Sequence, residues 1–196
     1  MNSLPSISCA LALLAAHACR NPEPSVVDTA SVMHSYGEGR AFAGNEARVL
    51  IGLAGDTLAE LRLGDEEWAA RLDEEAYYIL REDGTERAFT SDLLGVGEEG
   101  IFVCAGCGLP AYSSQTKFKS GTGWPSFYEP IRPDHVIELR DDSYGMTRTE
   151  VRCARCDGHH GHVFADGPEP TGLRYCINGD ALSFSAGSPE LPQAQP

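Results

Sequence analysis

Positive charge is scarce in this chain. Fifteen Lys and Arg stand against 29 Asp and Glu, for a formal charge of −14. A surface that negative, with no basic stripe, repels phosphate backbones and argues against nucleic acid as a partner. Long apolar runs are missing too, since none approaches the roughly 20 residues that a membrane-spanning helix takes. Nor is there an even cysteine set. Seven cysteines, at 9, 19, 104, 107, 153, 156 and 176, do not make a pure disulfide framework. No internal repeat stands out beyond two similar cysteine knuckles. What remains is a 196-residue chain, 42% hydrophobic with 21 Gly and 12 Pro. That composition reads as one loop-rich globular domain with a real core and a modest tail.

The ends differ from the middle. Residues 1–19 carry no charged side chain, and Ile7–Ala16 is a short apolar stretch leading into Ala16-His17-Ala18-Cys19. This reads as a signal peptide, although the usual basic start is absent. The small residue before Cys19 resembles a bacterial lipoprotein processing site. The expectation is an exported chain in the cell envelope or periplasm, with Cys19 a candidate lipid anchor; retention of the leader would leave the chain cytoplasmic. Residues 20–60 read as a linker with one short strand at Val49–Leu53, and residues 187–196 as a polar tail.

Between them, residues 61–186 read as the globular domain. Asp65 and Asp73 are placed to cap two short helices, Glu66–Leu72 and Glu74–Arg81, the second ended by Gly84. Trp68, Leu72, Tyr77 and Leu80 supply their buried face. After Gly100 the sequence breaks into short alternating segments: Ile101–Val103, His135–Arg140, Glu150–Cys153, His162–Ala165, Leu173–Asn178 and Ala181–Phe184. Such segments, separated by Gly, Pro and Asp, predict a mainly β, mostly antiparallel fold.

Cys104-Ala-Gly-Cys107 and Cys153-Ala-Arg-Cys156 are two knuckles with glycine nearby. Together they supply four thiolates, the donor set of a closed structural zinc site. The rival reading, two redox pairs or two disulfides, is weakened by their shared glycine chemistry. The 45 residues between them mean that one ion would clasp distant segments.

Cys176 lies in Leu173-Arg174-Tyr175-Cys176-Ile177-Asn178. On a strand, Leu173, Tyr175 and Ile177 point to the core while Arg174, Cys176 and Asn178 share the other face. Arg174 then favours the thiolate, the nucleophilic form. A buried structural cysteine is the competing reading, and the strand alone does not choose. In Gly158-His159-His160-Gly161-His162, acid–base groups beside a cysteine nucleophile need the fewest assumptions. A second metal site and an idle surface cluster are the alternatives. Strand alternation would separate His159 from His162, so a turn at Gly161 is expected to unite them. In Ser120-Gly-Thr-Gly-Trp-Pro-Ser-Phe127, glycines and Pro125 can hold Trp124 rigidly at a pocket. An aromatic wall facing a polar Cys–His–Asn–Arg face suits a ligand with a methyl group and one polar oxygen.

In the order Cys104-Ala-Gly-Cys107, the Ser120–Phe127 loop, Cys153-Ala-Arg-Cys156, His162-Val-Phe-Ala-Asp-Gly-Pro168 and Arg174-Tyr-Cys-Ile-Asn178, these segments resemble the B-type methionine sulfoxide reductases, over about 120 residues from Asp65 to Phe184. The resemblance implies a compact zinc-bound β-domain with small helices at its edge. It also implies thiol-dependent reduction of methionine R-sulfoxide, free or in oxidised proteins or peptides. Cys176 would be the nucleophile, passing through a sulfenic acid, which is the reversible first step of thiol oxidation. His159, His162 and Asn178 would activate or orient the sulfoxide oxygen and the thiol. Trp124 would receive the substrate methyl, with Asp166 and Arg174 as supporting polar groups. His160 departs from the usual apolar residue and is given no role. Many family members carry a resolving cysteine where this chain has Thr122, so regeneration would fall to an outside thiol, thioredoxin-like or small. Cys19 competes, because a flexible linker of about 40 residues reaches roughly 35 Å. A zinc-ribbon binding module and a cysteine–histidine hydrolase are the non-family alternatives. The first leaves Trp124 and Arg174–Asn178 unexplained, and the second lacks an oxyanion hole.

Overall fold

The computed structural model describes residues 49–187. The leader with Cys9 and Cys19, the linker up to residue 48 and the tail beyond Gly187 lie outside the described residues. Val49–Ile51 (β1) and Thr57–Ala59 (β2) pair as an antiparallel hairpin within the span read as linker. The hairpin is packed onto the domain because Leu50 is buried in a core cluster with Trp68 and Ile79.

Both expected helices form. Asp65–Arg71 (α1) begins one residue earlier than expected, so Gly64 rather than Asp65 is the N-cap. Glu67 Oε2 accepts from the Gly64 amide at 2.9 Å, and three acidic residues occupy the first turn, where the helix dipole favours them. Glu74–Glu82 (α2) is capped by Asp73, whose Oδ1 accepts from the Ala76 amide at 2.8 Å. It ends at Asp83 in the left-handed region (φ 55°), a conformation Asp tolerates. Gly84 answers a different need: a Cβ there would strike the Tyr78 ring. Trp68 is 2% exposed, with the Arg81 guanidinium 4.9 Å over its ring. Leu80 is buried as expected, whereas Leu72 and Tyr77 are only partly so, and Ala76 and Ile79 complete the buried face.

Among the described residues every strand pairing is antiparallel. Lys117–Phe118 (β5), Ser126–Phe127 (β6), Val136–Asp141 (β7), Arg148–Cys153 (β8), His159–Phe164 (β9) and Arg174–Ile177 (β10) form a six-stranded sheet in the order β5-β6-β10-β9-β8-β7. Gly100–Cys104 (β3), Pro110–Ser113 (β4) and Leu182–Ala186 (β11) form a second sheet in the order β11-β3-β4. The mainly β architecture is as read from the sequence, and each of the six expected strands exists with shifted ends. Phe127 stacks on Tyr112 at 4.4 Å and meets Phe102 edge-on at 5.0 Å, which ties the two sheets together. Tyr175 and Ile177 enter this core, leaving the alternate residues of β10 on the outer face. That face carries Arg174 and Cys176.

Candidate active site and metal centre

Cys176 is partly buried on β10, opposite His162 of β9 on one side and Ser126 of β6 on the other. Residues opposed in this way share a face, with Cβ atoms about 4.5–5.5 Å apart. Leu173, Tyr175 and Ile177 face the core, as the alternation predicts. Asn178 does not follow it. The strand ends at Ile177, and Asn178 turns inward to 3% exposure. Its Oδ1 accepts from the Glu86 amide and its Nδ2 donates to the His160 carbonyl, both at 3.1 Å.

His159 and His162 come together through a β-bulge rather than a turn. Val151 pairs with Gly161 while Arg152 pairs with His159, which leaves His160 as an extra residue on β9. One inserted residue resets the alternation and puts the flanking histidines on one face. Their rings lie 5.5 Å apart and nearly perpendicular. Gly161 is required here, because a Cβ on it would collide with the Cys176 carbonyl oxygen.

Each histidine is held by a carboxylate. His159 Nδ1 donates to Glu150 Oε1 at 2.6 Å, and His162 Nε2 donates to Asp141 Oδ2 at 2.8 Å. These bonds use neither Nε2 of His159 nor Nδ1 of His162. Burial pushes the His162 imidazole below its usual value, with the Asp141 bond pulling part of the way back. Burial would raise Glu150, but the His159 hydrogen bond and the Arg152 charge bring it below its ordinary value. His160 is different in kind. It is 0% exposed, neither ring nitrogen has a hydrogen-bond partner among the described residues, and burial drives its pKa down to about 4.

Asp83, Glu150 and His159 offer three ligand atoms within 4.8 Å of one another. The Arg152 guanidinium already occupies that cluster, with Nη1 3.2 Å from Asp83 Oδ1 and 3.0 Å from Glu150 Oε1. The positive charge a cation would bring is therefore supplied by the chain. A polar cleft of about 500 Å³ opens beside the pair, lined by Tyr78, Asp83, Tyr144, Glu150, His159 and His162 among others.

Arg174 binds Asp166 in a fork, Nε to Oδ1 at 2.8 Å and Nη2 to Oδ2 at 2.7 Å, and lies 4.4 Å over the Phe164 ring. The Asp166 bond, helped by the nearby Cys176 sulfur, keeps the guanidinium above its ordinary pKa despite burial. Trp124 is half-buried and donates from Nε1 to the Glu86 carbonyl at 3.2 Å. Gly123 is left-handed (φ 96°), and its carbonyl accepts from the Phe89 amide at 2.8 Å. The Pro125 carbonyl accepts from the Ile177 amide at 2.9 Å, which fastens the tryptophan loop to the cysteine strand.

The four knuckle cysteines are all buried, and their sulfurs lie within 4.8 Å of one another. Cys104 Sγ lies 3.6 Å from Cys156 Sγ, and Cys107 Sγ lies 3.5 Å from Cys153 Sγ. Tetrahedral bonds of 2.3 Å imply sulfur separations of about 3.8 Å, so these two pairs lie within a few tenths of what a metal ion needs. Arginines hold the knuckle backbone: Arg155 donates to the Cys107 carbonyl at 2.8 Å and Arg81 to the Cys156 carbonyl at 3.0 Å. The Cys153 thiol is pushed up by burial, whereas Cys107 is pulled down by bonds from the other three sulfurs. Four such sulfurs ionise together only against a cation, so the cluster could bind a metal ion.

Sequence reasoning passed over Asp141, Glu150 and Glu86. For Glu150 a signal existed, since Arg148, Glu150 and Arg152 alternate with Thr149, Val151 and Cys153 and so declare a polar face. Glu86 sits in irregular chain, and no local pattern marks it.

Comparison with known proteins agrees with this geometry. Residues 72–186 match the SelR domain model. A peptide methionine sulfoxide reductase MsrB from Agrobacterium fabrum is 52% identical over 128 residues, covering 65% of this chain and 95% of that protein. The MsrB of Leptospira interrogans is 53% identical over 125 residues, covering 64% and 95%. That of Pseudomonas putida KT2440 is 58% identical over 113 residues, covering 58% and 86%.

Proposed function

Because the chain belongs to the MsrB family of peptide methionine sulfoxide reductases, and is thus an oxidoreductase that reduces methionine sulfoxide, we propose that Cys176 carries out the reduction on the R-epimer through its own sulfenic acid. The thiolate attacks the sulfoxide sulfur while an imidazole protonates the departing oxygen. Two electrons pass from cysteine to sulfoxide, and the oxygen ends on Cys176 as a sulfenic acid while methionine leaves. His162, set directly across from the thiol, and His159 beside it are the proton carriers, oriented by Asp141 and Glu150. Trp124 takes the methyl group, and Asp166 fixes Arg174 on the sulfur's face. Asn178 acts by tying the end of β10 to the histidine bulge.

The observation that supports this reading most is the opposition of Cys176 and His162 across two paired strands. Cys176→Ser should abolish turnover of methionine R-sulfoxide with dithiothreitol while leaving the fold intact. Substantial residual activity would move the nucleophile elsewhere.

Zinc is the ion that four buried thiolates at this spacing would hold, in a closed structural site. When bound it contributes folding energy, with no position open to substrate. Regeneration consumes two thiols: one condenses with the sulfenic acid to release water, and the second resolves the mixed disulfide. A thioredoxin-like protein or a small thiol is the reductant in this reading, because Thr122 supplies no sulfur beside Cys176. Repair of oxidised proteins in the cell envelope follows from the leader reading, with a lipid at Cys19 as its anchored form. The mature N-terminus, read by mass spectrometry, tests that part separately.

A further inference from the structure

Three hydroxyls run from the reactive sulfur to the tryptophan loop. Thr122 Oγ1 lies 3.7 Å from Cys176 Sγ and 2.8 Å from Ser120 Oγ. Ser120 Oγ lies 2.7 Å from Ser126 Oγ, which is 3.1 Å from the Trp124 carbonyl oxygen. Ser126 is 1% exposed, and Ser120 Oγ also accepts from the Thr122 amide at 3.4 Å, so the chain of groups is held in place.

Proton counting gives this chain two polarities. There are four links, and the last acceptor, a carbonyl, cannot donate. With Cys176 as the thiol, four protons fill four links. The thiol donates to Thr122, Thr122 to Ser120, Ser120 to Ser126, and Ser126 to the Trp124 carbonyl. With Cys176 ionised, three protons remain. If every hydroxyl reverses, Thr122 donates to the sulfur, Ser120 to Thr122 and Ser126 to Ser120. The one link lost is then the long one to Trp124, while the two short hydroxyl contacts survive.

We propose that Thr122, Ser120 and Ser126 form a reversible hydroxyl relay that donates a hydrogen bond to the ionised sulfur of Cys176 and releases the Trp124 carbonyl as it does so. The inference rests on Cys176 being the nucleophile. Thr122 is the catalytic member because it touches the reacting atom, and Ser120 and Ser126 position it. A hydrogen bond to a charged group is stronger than one between neutral groups, so the relay favours the attacking form.

The test reads the thiolate without turnover. Alkylation of Cys176 by iodoacetamide, followed on its own peptide by mass spectrometry across pH, is compared in the full chain and its variants. Thr122→Val should slow alkylation at pH 7 about tenfold, because it removes the hydrogen bond donated to the ionised sulfur. Thr122→Ser, which keeps the hydroxyl, should restore it. Ser120→Ala should slow it in the same direction, because Thr122 loses the partner that donates to it in the ionised state. Alkylation within twofold of the parent in Thr122→Val or in Ser120→Ala would overturn the relay. Turnover by Cys176→Ser would instead overturn the nucleophile assignment, so the two failures are told apart.

Discussion

His160→Leu should make the protein more stable, and increasingly so as the pH falls. His160 is fully buried, and neither ring nitrogen finds a partner among the described residues. A buried polar group without a partner costs about 1–3 kcal/mol, and a leucine in the same space removes that cost at pH 7. A second contribution depends on protons. Burial lowers the folded pKa from 6.5 to about 4, so between those values the unfolded chain binds a proton that the folded chain refuses. Stability is therefore complete above pH 6.5, falls as the pH drops toward 4, and levels off below. From pH 7 to pH 5 this group alone costs the parent about 2 kcal/mol, which the leucine variant escapes. Urea unfolding at both pH values, with free metal held constant, reads the difference, and pH effects shared by parent and variant cancel. The expected gap is about 1–3 kcal/mol at pH 7 and about 2 kcal/mol more at pH 5. A variant less stable than its parent at pH 7, or a gap that does not widen on acidification, would refute the reasoning.

Three more outcomes follow from the same geometry. Asp141→Asn removes the bond that pulls His162 partly back toward its ordinary value, so the imidazole loses its proton at lower pH. The single-turnover rate, which should fall with rising pH as that proton is lost, should begin its fall at lower pH in the variant. Stripping the metal from the knuckle cysteines should unfold the domain, since structural zinc in small peptides is worth about 10–16 kcal/mol, comparable to the whole stability of a domain. Circular dichroism under strong chelation checks it, and an undiminished melting temperature would count against a structural ion. Gly161→Ala places a methyl group against the Cys176 carbonyl; overpacking of that kind costs about 1–3 kcal/mol. It should lower both the melting temperature and, by parting β9 from β10, the turnover rate.

What could be read from the sequence was whatever repeats along the chain. Period-two alternation put Tyr175 and Ile177 in the core and Arg174 and Cys176 on the other face, and paired spacing marked the four knuckle cysteines. Alternation stopped being informative at Asn178, because the strand ends one residue earlier and no local signal marks that end. The bulge at His160 was hidden for a deeper reason. An extra residue is defined only against the partner strand, where Val151 and Arg152 pair with residues two apart on β9. The same holds for the groups that were missed. Asp141 is 21 residues from His162, and Glu86 is 92 residues from Asn178. Residues that perform chemistry carry their own signature in thiol, imidazole or indole. Residues that position them are ordinary carboxylates and hydroxyls, and only the pairing of strands tells which ones matter. The order β10-β9-β8-β7 settles it here. It sets Glu150 beside His162 and brings Asp141, at the far end of β7, within reach of the same ring, so the carboxylates that hold the two histidines are chosen by a sheet order that no single segment encodes.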